Sequence, residues 1–167
     1  IRFNQAHAPF PSYRYGDDDY NKKILPRIIR TIAFAGILGA DQIIVHPVAF
    51  KENKKEKNIE LYNFLLPAAK EFGIKIALEN MFGSNPHNGH LISNVCSTGK
   101  EFAEYMDALD PEYFVACLDL GHAGLVGDSA QDMIRALGHD RLKSLHVHDN
   151  NYLSDLHTLP FTVSDSK

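Results

Sequence analysis

Cysteine is scarce in this chain: two residues among 167, Cys96 and Cys117, do not make a disulfide framework, and no Cys-x-x-Cys pair is present. Long apolar runs are missing too, since none approaches the roughly 18 residues that a membrane-spanning helix needs. Basic residues do not dominate either, because 17 Lys and Arg against 21 Asp and Glu leave a formal net charge of −4. This charge argues against a nucleic-acid partner, and the few cysteines favour a cytoplasmic location.

What the sequence does contain is a regular alternation of strand-like and helix-like segments. Apolar residues at helical spacing, such as Ile24, Ile28 and Ile32, predict the first helix, and Pro26 moves its predicted start to near Lys23. The predicted strands cover residues 1–7, 41–47, 74–80, 113–122 and 142–149, and the predicted helices cover 17–39, 58–73, 97–110 and 128–138. This order predicts a parallel sheet, either an open doubly wound sheet or part of a (β/α)8 barrel. The chain has neither a Gly-x-Gly-x-x-Gly nor a P-loop motif, which weakens the open nucleotide-binding sheet.

Each predicted strand ends on a side chain that can bind a metal ion. A lone histidine at a strand end is usually a hydrogen-bonded structural residue, and a lone aspartate there can cap the next turn. Together the five ends are harder to explain in that way, because each buried polar group must find a partner. Parallel strands place their carboxyl ends on one face, so a shared divalent cation such as Mn, Co, Zn or Mg accounts for all of them. The residues are His7, His46, Glu79, Asp119 with His122 after it, and His146 with His148 and Asp149 after it.

Three loop regions carry weaker signals. The lysine-rich segment 51–58 reads as a solvated loop, with phosphate binding as the less favoured alternative. Residues 81–90 read as an active-site loop in which His87 and His90 face solvent. Aromatic residues after the strand ends are placed to line a sugar pocket, namely Tyr13, Tyr15, Phe50 and Phe82.

At this point the motifs resemble those of a known group. They are "HAPF", "VHP", "ALEN", "LDLGH" and "LHVHD" after the five strands, followed by "DLHTLPF". In this order they resemble the xylose-isomerase-like TIM barrel superfamily, which includes sugar phosphate isomerases and epimerases and the endonuclease IV type of AP endonuclease. The resemblance implies an α/β fold of (β/α)8 TIM-barrel type. It is incomplete here, with strands resembling two to six of eight in one partial domain over residues 1–167.

The resemblance also implies roles for individual residues. In the epimerase branch, the positions of Glu79, Asp119 and His146 are metal ligands, and Glu79 is in addition a catalytic acid or base. His122 matches a contact to a substrate hydroxyl, and we expect His7 and His46 to face the substrate beside it. In the endonuclease branch, a three-zinc cluster uses a wider set of ligands that includes the positions of His7, His46, His122, Asp155 and His157.

Part of the family pattern has no counterpart in this chain. The resemblance implies a further ligand, a glutamate at the end of strand eight, but the only acid after Asp155 is Asp165. The chain begins at Ile1, and strands resembling the first and the last two of the barrel are missing. We therefore expect a piece of a longer protein or a decayed copy, whose open sheet edges favour assembly into a homo-oligomer.

The function expected first is a divalent-metal-dependent sugar or sugar-phosphate isomerase or epimerase. It would act on a small-molecule substrate by proton transfer next to a carbonyl, through an enediolate. The alternative is a zinc-dependent phosphodiesterase of the AP endonuclease kind, against which the acidic balance and the lack of an arginine cluster count. A non-catalytic barrel remnant that binds a sugar is the third reading.

Overall fold

The computed structural model describes residues 1–163, so Asp165 lies outside the described residues. Five strands form one parallel sheet in the order β1-β2-β3-β6-β7, and β4 and β5 form a separate antiparallel hairpin. The parallel sheet is the arc expected of an incomplete barrel. The strands are β1 Gln5–His7, β2 Gln42–Ile44, β3 Lys75–Glu79, β4 Phe82–Ser84, β5 Leu91–Ser93, β6 Phe114–Asp119 and β7 Leu142–His146.

Helices connect the parallel strands and cover one face of the sheet. They are α1 Asp18–Ile37, α2 Lys54–Phe72, α3 Gly99–Met106, α4 Leu120–Leu125 and α5 Ala130–Arg141. The main core lies between these helices and the sheet, and its fully buried members include Ile28, Tyr62, Phe102 and Phe114. Within residues 1–163, no helix combines the length and the hydropathy that crossing a membrane requires.

The opposite face of the sheet is the concave one, and it carries a much smaller apolar cluster. Ile44, Ala77, Val115 and Cys117 form this cluster, one or two residues from each central strand. Because side chains alternate along a strand, the residue two places after Cys117 emerges on this same face, and that residue is Asp119. The concave face therefore leads from an apolar floor to the polar strand ends.

The first helix begins earlier than the sequence predicts. The Asp17 side chain accepts a hydrogen bond from the backbone N–H of Tyr20 at 2.9 Å, so α1 starts at Asp18 rather than near Lys23. Pro26 lies inside the helix on its exposed side, away from the buried row that contains Ile24 and Ile28. A good N-terminal cap and a well-packed face outweigh the helix-breaking tendency of this proline.

Three other boundaries also differ from the prediction. Helix α2 begins at Lys54, so the lysine-rich segment 51–58 is a helix N-terminus as much as a loop. The segment after Asp119 turns at once into α4 instead of extending the strand to His122. The expected loop at 81–90 contains strand β4, and the hairpin with β5 leaves His87 and His90 exposed, as expected.

Candidate metal centre

A cavity of about 920 Å³ opens at the carboxyl ends of the parallel strands. Seven of the eight residues that have a role in the family resemblance line this cavity, and the eighth, Asp119, is fully buried within contact distance of two of them. The side chains that line it are His7, His46, Glu79, His122, His146, Asp155 and His157, joined by His148.

The register of the sheet brings Glu79, Asp119 and His146 together. Asp119 and His146 are direct partners in the pairing of β6 with β7, and β3, which ends on Glu79, pairs with the other side of β6. The Nδ1 atom of His146 lies 3.1 Å from Oε1 of Glu79 and 3.6 Å from Oδ2 of Asp119. One imidazole nitrogen therefore faces two carboxylates on neighbouring strands.

A second group lies on the β1 and β2 side of Glu79. His46 Nε2 is 3.0 Å from Oε2 of Glu79, and His7 Nε2 is 3.1 Å from His46 Nε2. His7 Nδ1 donates to the carbonyl of Ala8 at 2.7 Å, which leaves its Nε2 as a lone pair directed at the same point. The ligand atoms of His7, His46 and Glu79 thus all lie within 4.8 Å of one another, close enough to share one cation.

A third group lies on the other side of Asp119. His122 Nδ1 lies 2.8 Å from the Asn80 carbonyl oxygen, so it carries the proton and Nε2 is an acceptor. Nε2 of His122 lies 3.5 Å from Oδ2 of Asp155, which is also an acceptor. A cation or a proton between these two atoms would make the contact favourable. Two sets of mutually close ligand atoms include His122: one with Glu79 and Asp119, and one with His148, Asp155 and His157. His146 belongs to neither set, although it contacts both central carboxylates.

The two central carboxylates are almost free of solvent, with exposed fractions of 2% for Glu79 and 0% for Asp119. Burial raises the pKa of Glu79, but the neighbouring imidazoles, chiefly His146 and His46, outweigh it and hold that pKa well below its usual range. The pKa of Asp119 is likewise lowered, since contacts with His146 and His122 outweigh burial. The Asp119 carboxylate, the Cys117 thiol and Glu79 raise the pKa of His146 to about 12. The centre therefore holds two buried anions surrounded by imidazoles.

The chemistry of these donors fits a divalent cation. Carboxylate oxygens and imidazole nitrogens are the ligands of Zn, Mn and Co sites in proteins, and an ion between two buried carboxylates offsets the cost of burying their charge. Both cysteines are free and buried, and neither belongs to a group of mutually close ligand atoms within residues 1–163.

Comparison with known proteins gives the family. The model of the xylose isomerase-like TIM barrel family matches residues 3–162. The chain belongs to this family. The expected fold class, an incomplete (β/α)8 TIM barrel, is thereby confirmed, and the resemblance drawn from the motifs is correct.

The proteins similar to this TIM-barrel chain include one named as an endonuclease and one named as similar to a sugar epimerase. A probable endonuclease 4 of Geobacter sulfurreducens is 28% identical over 129 residues, which cover 68% of this chain and 41% of the relative. The crystal structure of a D-tagatose 3-epimerase-like protein is 24% identical with a TM-score of 0.72, covering 92% of this chain and 58% of that one. The structure of the IOLI protein, which holds a zinc atom, is 18% identical with a TM-score of 0.68, and the match covers 98% of this chain and 55% of that one.

These comparisons also show how much of the family barrel is present. The chain spans about half the length of the curated relatives it matches, between 41% and 53% of each. The likeness to the solved structures, at under 25% identity, shows the fold. It agrees with a sheet of five parallel strands in place of the eight of a closed TIM barrel.

Aromatic side chains form part of the wall of this TIM-barrel cavity. Phe10 lies 4.7 Å from the His46 ring, and Phe82 lies 4.9 Å from the His122 ring. Tyr13 and Tyr15 also line the cavity, as the sequence predicts, whereas Phe50 packs behind Tyr13 at 5.5 Å.

Two residues of the site have no role in the family resemblance, although His148 is among the metal-capable side chains that the sequence places at the end of the fifth strand. His148 Nε2 lies 2.9 and 3.0 Å from the two oxygens of Asp119. Its spacing of two from His146 was a usable signal, because residues two apart on an extended chain share a face. The Asn80 side chain binds the backbone N–H and C=O of Asp119 with hydrogen bonds of 2.7 and 3.0 Å. The position of Asn80 directly after Glu79 was the corresponding signal in the sequence.

Proposed function

We propose that the chain, as one partial TIM-barrel domain over residues 1–167, carries the metal-binding part of a divalent-metal-dependent isomerase or epimerase. Its substrate class is a sugar or sugar phosphate, and its chemistry is proton transfer next to a carbonyl through an enediolate. We place it in the cytoplasm, which the two free cysteines favour.

One observation carries this proposal. Glu79, Asp119 and His146 lie on three adjacent parallel strands, and Nδ1 of His146 is 3.1 Å from Glu79 and 3.6 Å from Asp119, beside a cavity large enough for a monosaccharide. We assign these three residues as metal ligands. A divalent cation held there would polarise a carbonyl and a neighbouring hydroxyl and so acidify the C–H bond of the hydroxyl-bearing carbon next to the carbonyl.

The chain's own side chains then have distinct tasks. The bound Nδ1 proton of His122 leaves Nε2 free to accept a hydrogen bond from a substrate hydroxyl, and we assign it that role. His7 and His46 face the same space from the β1 and β2 side, and we assign them to substrate contact as well. Glu79 is proposed as ligand and as one acid or base, although both of its oxygens are already bonded to imidazoles.

The names of similar proteins support this class of reaction. The D-tagatose 3-epimerase-like protein shares the fold over 92% of this chain, and the IOLI structure holds a zinc atom. Because the chain spans about half of its curated relatives, we expect it to lack the family's ligand at the end of strand eight and to work slowly by itself.

Deuterium incorporation tests the proposed proton transfer directly. The chain, loaded with Mn²⁺ or Co²⁺ in D₂O, is incubated with a panel of free and phosphorylated ketoses, and the sugars are examined by NMR. We expect deuterium next to the carbonyl of at least one sugar, because even slow abstraction and return of a proton exchanges it. Asp119→Asn should abolish the exchange together with metal binding, whereas His87→Asn, an exposed histidine on the hairpin, should change neither.

The same experiment can contradict the proposal. Exchange that continues in the chelated chain, or in Asp119→Asn, would show that no metal centre at Asp119 drives it. Absence of exchange both in the chain and in a version extended by three further strands would rule out the isomerase and leave the phosphodiesterase and the sugar-binding remnant. Equal turnover by the chain and the extended version would refute the expectation that a ligand is missing.

A zinc-dependent phosphodiesterase is the second candidate, and one observation favours it. His122, His148, Asp155 and His157 offer a further set of close ligand atoms, so the cavity has donors for more than one cation. The relative named as a probable endonuclease 4 supports the same reading. Metal analysis separates the two candidates: about three zinc ions per chain and cleavage of abasic DNA indicate the nuclease, and one bound cation indicates the isomerase.

A further inference from the structure

His148 contacts the most deeply buried carboxylate of the centre, and no role follows for it from the family resemblance. Its Nε2 lies 2.9 Å from Oδ1 and 3.0 Å from Oδ2 of Asp119, so a single N–H is shared by both oxygens. The His148 side chain is 7% exposed and Asp119 is 0% exposed. The contact is therefore shielded from water and strong enough to orient the carboxylate.

Gly121 provides the space that the His148 ring occupies. A Cβ atom built on Gly121 would lie 2.0 Å from Cε1 and 2.6 Å from Nε2 of His148. The ring also stacks on His157, with centroids 4.2 Å apart and planes at 5°. These two neighbours flank the imidazole in the position where its Nε2 points at Asp119.

The two oxygens of Asp119 consequently differ. Oδ1 accepts the backbone N–H of His122 at 2.8 Å in addition to the bond from His148. Oδ2 shares only the bond from His148, and it lies 3.6 Å from Nδ1 of His146. Oδ2 is thus the oxygen turned toward Nδ1 of His146, the atom that also faces Glu79, where the proposed cation would bind.

We propose that His148 is a positioning residue that holds the Asp119 carboxylate in one orientation, with Oδ2 presented to the metal. This inference rests on the proposed metal centre at Glu79, Asp119 and His146. Because Nε2 of His148 is used on Asp119, we assign His148 to act on this centre through that carboxylate rather than as a ligand of its cation. Partners of metal ligands that act in this way change affinity by roughly 10- to 100-fold when removed.

Cobalt titration of the full chain tests this role without an activity assay. Co²⁺ binding is followed by its visible absorption bands, whose position and intensity report the coordination of the ion. We expect His148→Leu to bind one Co²⁺ with 10- to 100-fold lower affinity and an altered spectrum. His148→Gln retains an N–H donor of similar reach, so it should recover most of the affinity and the wild-type spectrum.

A second variant reaches the same contact from the other side. Gly121→Ala leaves His148 in place but forces its ring away, so we expect a loss of Co²⁺ affinity like that of His148→Leu. In a His148→Ala background the ring is absent, and Gly121→Ala should then cost little further affinity. Comparison of Gly121→Ala in the wild-type and His148→Ala backgrounds keeps the test possible if His148→Leu fails to fold. The control for loss of an exposed histidine is His87→Leu.

The outcomes separate the inference from the proposed function. If the wild-type chain binds Co²⁺ and both His148→Leu and Gly121→Ala bind it with unchanged affinity and spectrum, the positioning role is wrong and the metal centre stands. If His148→Leu loses one whole equivalent while another binds normally, His148 is a ligand of a second cation, and the inference is overturned. If the wild-type chain binds no Co²⁺, the proposed centre and this inference fail together.

Discussion

Glu79 and Asp119 are buried carboxylates whose charges are balanced by imidazoles. Removing a carboxylate from water is costly, and these two have exposed fractions of 2% and 0%. Hydrogen bonds from His146 and His46 compensate Glu79, and those from His148 and the backbone N–H of His122 compensate Asp119. The pKa values of both groups are lowered because these contacts stabilise the charged form of each carboxylate more than burial destabilises it.

Acid should therefore destabilise the metal-free chain through these residues. A carboxylate whose pKa is lower in the folded than in the unfolded state contributes stability above its unfolded value, near pH 4, and loses it as pH falls toward the folded value. We expect the free energy of unfolding, measured with denaturant and chelator present, to fall by roughly 2 to 3 kcal/mol between about pH 6 and about pH 3.

Glu79→Gln provides the control for this prediction. Glutamine cannot be protonated in this range, so the variant should be less stable near neutrality but lose roughly half as much on acidification. A pH profile as steep as that of the unsubstituted chain would show that other carboxylates cause the acid sensitivity.

Between elements, Asn80 is the connection that holds the ends of β3 and β6 together. Its side chain accepts from the N–H of Asp119 and donates to the carbonyl of the same residue, at 2.7 and 3.0 Å. Its own carbonyl accepts from His122, the third residue of α4. A single buried asparagine thus ties two strands and a helix at the point where the proposed metal ligands emerge.

Asn80→Ala should be strongly destabilising for this reason. It leaves the buried N–H and C=O of Asp119 without their partners, and we expect a loss of roughly 2 to 4 kcal/mol in the free energy of unfolding. Chemical denaturation gives this value, with Asn63→Ala as a matched control, because Asn63 is exposed on α2 and its replacement should change stability by less than about 0.5 kcal/mol. A loss below about 1 kcal/mol for Asn80→Ala would mean that the strand ends are held in another way.

Some elements could be predicted from sequence and others could not, for identifiable reasons. The buried row of α1 and the glycine that ends α2, Gly73, are short-range signals, and the prediction followed them correctly. The hairpin of β4 and β5 was missed because its strands have three residues each and little periodicity. Helix α4 was missed because Asp119 both ends β6 and caps the helix, so no linker marks the boundary.

For the whole molecule, the open sheet is the main consequence of spanning half a barrel. Among the described residues, β1 and β7 each pair with one neighbouring strand only. Near the β7 edge Leu145 is 42% exposed and Val147 is 56% exposed, and Leu159 in the segment that follows is 76% exposed. An edge strand flanked by exposed apolar side chains favours association with a further strand or a second chain.

We therefore expect the 167-residue chain to self-associate at concentrations of tens of micromolar. Leu145→Lys should shift the sedimentation profile toward monomer, because a charge on an edge strand opposes pairing with another chain. Ile92→Lys is the matched control, since Ile92 is 43% exposed on the hairpin and away from the β7 edge. A chain that stays monomeric at these concentrations, or equal effects of both substitutions, would contradict this expectation.

The sequence by itself determined the order of the five parallel strands and the four longer helices, and the chemistry of each strand end. Helical periodicity, caps and the metal-binding residue types act over a few residues, so they can be recognised along the chain. It also placed His7, His46, Glu79, Asp119 and His146 on one edge, because parallel strands end together.

Only the tertiary structure decided how those ends meet. The register that sets Asp119 beside His146, the bonds from Asn80 across 39 residues and the seating of His148 against Gly121 all join distant segments. Such contacts depend on packing across the whole sheet, because a shift of one residue in register would turn every one of these side chains to the opposite face.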